Sequence, residues 1–190
     1  MTADSPAREA TLAVLGGVLP LGSVVRVLTP TDVDAYLDLT RRASDLYEDY
    51  DGGLPTRDAL VADMLARPSG VPMEAKLTLG VFRGDDDTLV AYLDALTGYP
   101  DATTWFIGLL LVAESERGRG LGTALVEGLG LAASAHGAKR LMIGVLDANA
   151  PARRFWSGLG FRDERHVPDY VNAAGQPQPV TRMERPLLLA

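Results

Sequence analysis

The chain has 190 residues, 47% of them apolar, no cysteine and a formal net charge of −7. That length and apolar content suit one domain with an ample core, or one domain with an extension. The missing cysteines exclude a disulfide framework, a thiolate metal site and a cysteine nucleophile, and the negative charge argues against general nucleic-acid binding.

Residues 1–23 read as an N-terminal extension ahead of a domain spanning 24–190. The apolar stretch 11–22 has the look of a signal peptide, but glycine and proline break it and it is too short to span a bilayer. Asp4, Arg8 and Glu9 stand where a basic cluster would be needed. A soluble, cytoplasmic protein without membrane association is expected, with the extension packed on the domain or on a partner subunit.

Residues 24–28 read as a strand closed by Thr29-Pro30. Thr31 or Asp32 then caps a helix that carries Val33, Tyr36, Leu37 and Leu39 and continues toward Tyr47. Thr56 starts a second helix, ended by Pro68-Ser69-Gly70. Residues 76–83 and 88–96 flank the turn Gly84-Asp85-Asp86-Asp87 and predict an antiparallel hairpin. Residues 105–112 form the next strand, whose near-continuous apolar character predicts burial on both faces. Acidic residues concentrate in this first half (Asp45, Glu48, Asp49, Asp51, Asp85, Asp86, Asp87), which tilts the expectation toward a cationic partner molecule, although such a face is more often simply solvated.

The stretch Arg117-Gly118-Arg119-Gly120-Leu121-Gly122 stands between that strand and a helical stripe of Leu121, Leu125, Leu129, Ala132 and Ala133. A strand, a basic glycine-rich loop and a helix N-terminus form a phosphate-holding arrangement. Backbone N–H groups point outward there and the helix dipole favours negative charge. Gly120 and Gly122 lack a Cβ and allow close approach to the backbone. Arg117 and Arg119 can supply charge-assisted hydrogen bonds. Gly137 ends the helix, where His136 suits a dipole partner. His136 and His166 are too far apart in sequence to read as a metal-binding pair, and no metal is expected. Residues 141–146 predict a buried strand parallel to 105–112 through a right-handed crossover. A short helix over 152–159, a strand from 161 to 167 and a last strand over 180–189 complete the chain.

The loop resembles the acyl-CoA pyrophosphate loop of the GCN5-related N-acetyltransferase (GNAT) superfamily, whose pattern is Arg/Gln-x-x-Gly-x-Gly/Ala; Arg117, Gly120 and Gly122 fill the three fixed positions. A second match follows at the expected distance: Asn149, a short helix with the aromatic pair Phe155-Trp156, then Gly160-Phe161. The resemblance is strongest over 105–161. It implies an α/β (α+β) fold with a mixed, bent central sheet flanked by helices, whose two parallel central strands splay apart. It further implies acetyl-CoA as acyl donor, a homodimer as an unsurprising assembly, and transfer to an amine of a small molecule, peptide or protein. A non-catalytic acyl-CoA-binding regulatory module of the same fold is the alternative. A P-loop nucleotide site is disfavoured, since no Gly-Lys-Ser or Gly-Lys-Thr occurs.

By family position, the backbone of Leu110 and Val112 would pair with the pantetheine arm, and Val112 N–H would serve an oxyanion. Gly118, Arg119, Leu121 and Thr123 would complete the phosphate cradle around Arg117, Gly120 and Gly122. Asn149 and Phe155 would line the other side of the wedge; they read equally as a helix cap and as core. The aromatic pair ends in Trp156 where many relatives have a tyrosine acid, so that chemistry does not carry over, and water or Ser157 would have to replace it. For the base, Asp94 in the neighbouring strand and Glu114 after the apolar strand are candidates; each reads also as a solvated carboxylate.

Overall fold

Two helices start where a side chain satisfies a free backbone group. Thr56 accepts a hydrogen bond from Ala59 N–H at 3.2 Å and starts a helix over Arg57–Leu65. Asn149 does the same for Ala152 N–H at 2.9 Å and starts Ala150–Gly158. The computed structural model describes residues 6–50, 53–171 and 175–188. In chain order its elements are α1 (Pro6–Val18), β1 (Ser23–Val27), α2 (Val33–Arg41), α3 (Ser44–Tyr50), α4 (Arg57–Leu65), β2 (Lys76–Arg83), β3 (Leu89–Thr97), β4 (Thr104–Val112), α5 (Leu121–Ala135), β5 (Arg140–Leu146), α6 (Ala150–Gly158), β6 (Arg162–Val167) and β7 (Val180–Pro186). Asp51 and Leu189 lie outside the described residues, as do the side chains of Glu48 and Asp49.

The strands form one mixed sheet in the order β1-β2-β3-β4-β5-β7-β6, in which only β4 and β5 run parallel. One apolar core lies between the sheet and α1, α5 and α6; a second lies between the sheet and α2, α3 and α4. The helical stripe read from the sequence is buried throughout, from Leu121 to Ala133.

Three local departures from the expected pattern have physical causes. Residues 6–18 form α1, whose Leu15 is completely buried against α5. Gly128 of α5 permits that approach, since a Cβ there would lie 2.6 Å from Leu15 Cδ2. The helix expected to run on toward Tyr47 divides into α2 and α3, because the carbonyl of Arg42 leaves the helical pattern to accept Glu114 N–H at 2.9 Å. The third departure is in β4, which is not buried on both faces: Gly108 is exposed, and Leu109, Leu110 and Val112 are half-buried. Among the described residues, no helix is long and apolar enough to cross a membrane.

Candidate active site

The loop after β4 turns twice through left-handed backbone, at Gly118 (φ 71°) and Gly120 (φ 84°), where a side chain would be strained. Gly120 is the N-cap of α5. No side chain caps that helix, and its first turn carries no acidic residue. The first helical hydrogen bond runs from Ala124 N–H to Gly120 C=O, so the N–H groups of Leu121, Gly122 and Thr123 have no acceptor within the helix. An open helix start with its positive dipole end free favours an anion. These three residues, with Gly118 and Gly120, line a cavity of about 560 Å³.

The other wall of that cavity is a fork in the sheet. β4 and β5 pair in register from Thr104 with Arg140 to Ile107 with Ile143, and no further. The pairing stops at a β-bulge. Across from β3, Asp94 faces Leu109 and Ala95 faces Ile107, which leaves Gly108 as the extra residue. The bulge reverses the alternation of side chains. Ile107 contributes to the core beneath α5, whereas Leu109 and Leu111 contact the core beneath α2 and α4. Ala113 N–H bonds to Val90 C=O on the β3 side. Main-chain groups alternate along a strand, so those of Leu110 and Val112 turn toward the open fork. Both residues line the cavity, with Asn149, Phe155 and Trp156 opposite.

Asn149 and Phe155 each combine a local structural role with a place in the cavity wall. Asn149 caps α6 and lines the cavity. Phe155 stacks edge-on against Trp156 at 5.0 Å and also meets the cavity. It lies so close to α5 that a Cβ on Gly122 would be 3.3 Å from its Cζ.

The two arginines differ from expectation. Arg117 donates to both carboxylate oxygens of Asp45, at 2.6 and 2.9 Å, and through Nε to Val112 C=O at 3.0 Å. These bonds hold the Asp45 carboxyl below its ordinary range. Arg117 therefore ties the loop to α3 and to the lip of the fork rather than standing free for a phosphate. It also occupies one of the two main-chain groups of Val112. Arg119 points to Glu116, at 3.3 Å, and lies outside the cavity lining. Glu114 is exposed and lines neither this cavity nor the one described next, a poor setting for a base. Ser157 is exposed and also outside the lining.

A second cavity, of about 510 Å³, shares no residue with the first; along β4, Gly108 lines this one and Leu110 the other. Asp94 sits in its wall. Lys76 Nζ lies 2.9 Å from each Asp94 oxygen, with a directed hydrogen bond only to Oδ2. Burial pushes the Asp94 carboxyl up to about 6, against the opposing pull of Lys76. The position at Gly108 belongs to this carboxylate, since a Cβ there would stand 2.7 Å from Asp94 Oδ2. Asp94 thus meets the first residue of β4 beyond its pairing with β5. Behind it, Asp63 accepts from Tyr36 Oη at 3.1 Å, and burial raises its carboxyl as well.

Sequence reasoning did not find the second cavity, the Lys76 partner or the bulge. Only the bulge left a local signal, a lone glycine inside an apolar strand.

The model of the acetyltransferase (GNAT) family matches residues 44–161. An acetyltransferase from Thermus thermophilus superposes with a TM-score of 0.69 at 30% identity, covering 88% of this chain and 98% of that one. A GCN5-related N-acetyltransferase from Kribbella flavida gives 0.62 at 24% identity, over 87% and 98%. The structure of yncA from Salmonella typhimurium, with its cofactor acetyl-CoA, gives 0.61 at 16% identity, over 89% and 96%. No curated protein matches the chain at a significant level.

Proposed function

We propose that the chain, which belongs to the acetyltransferase (GNAT) family, transfers an acetyl group from acetyl-CoA to a primary amine of a small molecule or peptide. The observation that carries this reading is the shared cavity: the unpaired edge of the fork and the uncapped start of α5 face the same space. The N–H groups of Leu121, Gly122 and Thr123 would hold the diphosphate, and Leu110 and Val112 would pair with the amides of the pantetheine arm. Bound acetyl-CoA supplies an activated acyl thioester. The second cavity would seat the amine, because its Gly108 lies two residues, and so about 7 Å along the strand, from Leu110 of the first. There Asp94 would hold the incoming ammonium and take its proton; a carboxyl at about 6 is ionised at neutral pH yet basic enough for that task. Placing the two reactants together would supply much of the acceleration.

Trp156 at the usual tyrosine position keeps open the alternative of a module that holds acyl-CoA without transferring it. One experiment tests both. Calorimetry with acetyl-CoA should show binding that Gly120→Val weakens, and release of free thiol should follow addition of an accepted amine. Binding without thiol release across a broad amine panel would favour the regulatory module, and no binding would end both readings.

A further inference from the structure

We infer that the acceptor carries a carboxylate beside an apolar or aromatic body, an amino acid such as phenylalanine or leucine rather than a polyamine. This rests on the reading that the second cavity seats the amine. Three cationic side chains line that cavity, Arg67, Lys76 and Arg182, against one carboxylate, Asp94. Two of the three are already matched. Lys76 is held by Asp94 and by Ala66 C=O at 2.8 Å, and Arg182 by Glu164 at 3.1 Å. Arg67 is different. Its Nε donates to Val71 C=O at 2.9 Å and its Nη1 to Leu65 C=O at 3.1 Å, and among the described residues it has no carboxylate partner. Two main-chain carbonyls therefore orient this exposed planar cation at the cavity, and among the described residues none accepts from its Nη2. A guanidinium held this way is set to receive a carboxylate, with its orientation already settled.

The rest of the wall is apolar. Tyr99 and Phe106 meet edge to face at 5.9 Å, with Leu96 and Pro100 beside them. Asp94 at the fork suits an ammonium, Arg67 suits an anion, and these rings suit the apolar side chain that an amino acid carries beside those two groups. A polyamine would set its second ammonium against Arg67 and Arg182, an arrangement that selects against it. The acidic run 85–87 does not alter this balance. Asp86 and Asp87 are engaged by Arg83 and Arg26, and none of the three lines either cavity. The run 85–87 thus brings no bias toward cationic acceptors to either cavity wall.

The test is thiol release with acetyl-CoA and three acceptor types: phenylalanine and leucine, their amides, and spermidine. The free amino acids should exceed their own amides and spermidine at least tenfold in kcat/KM. Arg67→Gln should raise KM for the amino acids tenfold or more and erase the preference over the amides, while Arg67→Lys should restore part of it. Apart from turnover, phenylalanine should raise the melting temperature of the wild-type protein and not that of Arg67→Gln. Amides or spermidine used equally well, or an Arg67→Gln effect that is the same on acid and amide, would overturn the inference. So would acetyl-CoA binding without acetylation of either amino acid, which leaves the binding half of the proposed function standing. Failure to bind acetyl-CoA at all would remove both.

Discussion

Gly108→Ala puts the arrangement at the fork under a direct test. Gly108 is not one of the left-handed glycines, so alanine brings no backbone strain there. The new Cβ would lie 2.7 Å from Asp94 Oδ2 and 3.4 Å from its Cγ. Ordinary contact begins near 3.4 Å, so the oxygen must retreat by about 0.7 Å. It is not free to do so without loss. Oδ2 accepts from Lys76 Nζ at 2.9 Å, and that ammonium is buried and anchored in turn on Ala66 C=O. Stretching a charge-assisted bond of about 1.5–3 kcal/mol, or forcing the carboxylate off its rotamer at about 0.5–1.5 kcal/mol, places the cost at about 1–3 kcal/mol. Felt at the reacting centre, that lowers kcat by roughly ten- to a hundredfold. Acetyl-CoA affinity should not move, because Gly108 does not line the first cavity. Calorimetry and steady-state thiol release separate the two effects. Asp94→Asn should itself lower kcat with acetyl-CoA binding intact, and adding Gly108→Ala to it should cost little more, since both act on one group. A Gly108→Ala enzyme with kcat within twofold of wild type, in a protein whose crystal structure shows the carboxylate displaced, would refute the assignment of Asp94 to the reaction.

Three further outcomes follow from the same geometry. Gly120→Val forces a branched side chain into backbone at φ 84° and disturbs the N–H groups behind it; acetyl-CoA binding should weaken tenfold or more, about 1.4 kcal/mol, and wild-type affinity by calorimetry would mean the loop is no phosphate cradle. Gly122→Ala meets Phe155 Cζ at 3.3 Å but gains helix propensity of about 1 kcal/mol, so the melting temperature should hold or rise; a large drop would show that Phe155 cannot yield. As a base, Asp94 works ionised, so kcat/KM should rise with pH through about 6. Lys76→Met removes the cation that opposes burial and should move that limb up by about 1–3 pH units; an unmoved limb would assign it to another group. The same raised carboxyl favours the folded state while protonated, a contribution present in full below its unfolded value of 3.8 and lost as pH climbs through about 6.

What the sequence disclosed was what lies close together along it. The glycine loop, the stripe of α5, the strand after it and the Asn149 cap each depend on residues a few positions apart, and each stands where the pattern put it. The fork itself was legible only through family resemblance, because no local signal tells where two strands 36 residues apart stop pairing, as Thr104 and Arg140 begin it. The partners of the site residues were out of reach for the same reason. Arg117 finds Asp45 across 72 positions, and Asp94 finds Lys76 across the β2–β3 register. Such pairs are set by how sheet and helices stack, not by composition. Helix α1 was missed because Gly16-Gly17 and Pro20 gave it the broken look of a leader, whereas its stability comes from Leu15 seated against Gly128.

The tryptophan at position 156 bears on the last chemical step. It is buried, edge-on to Phe155 and to Phe161 at 5.1 Å, and forms part of the cavity wall. Among the described residues, no tyrosine, histidine or lysine lines that cavity; the ionisable side chains there are Asp45, Glu116 and Arg117, and Thr123 brings the one hydroxyl. None of these is a neutral acid that titrates between neutrality and about pH 10. A thiol ionises at about 8.5, so the departing sulfur can leave as an anion without a proton donor. The consequence for kcat is a plateau. Once Asp94 is ionised, kcat measured at saturating amine and acetyl-CoA should stay level from about pH 7.5 to 9.5. Enzymes that depend on a phenol for this step lose rate as the phenol ionises, at about pH 10 or somewhat below. If kcat here falls with a midpoint of about 9 to 10, a neutral acid takes part after all, and Tyr99 or Tyr170 of the second cavity becomes the group to replace by phenylalanine.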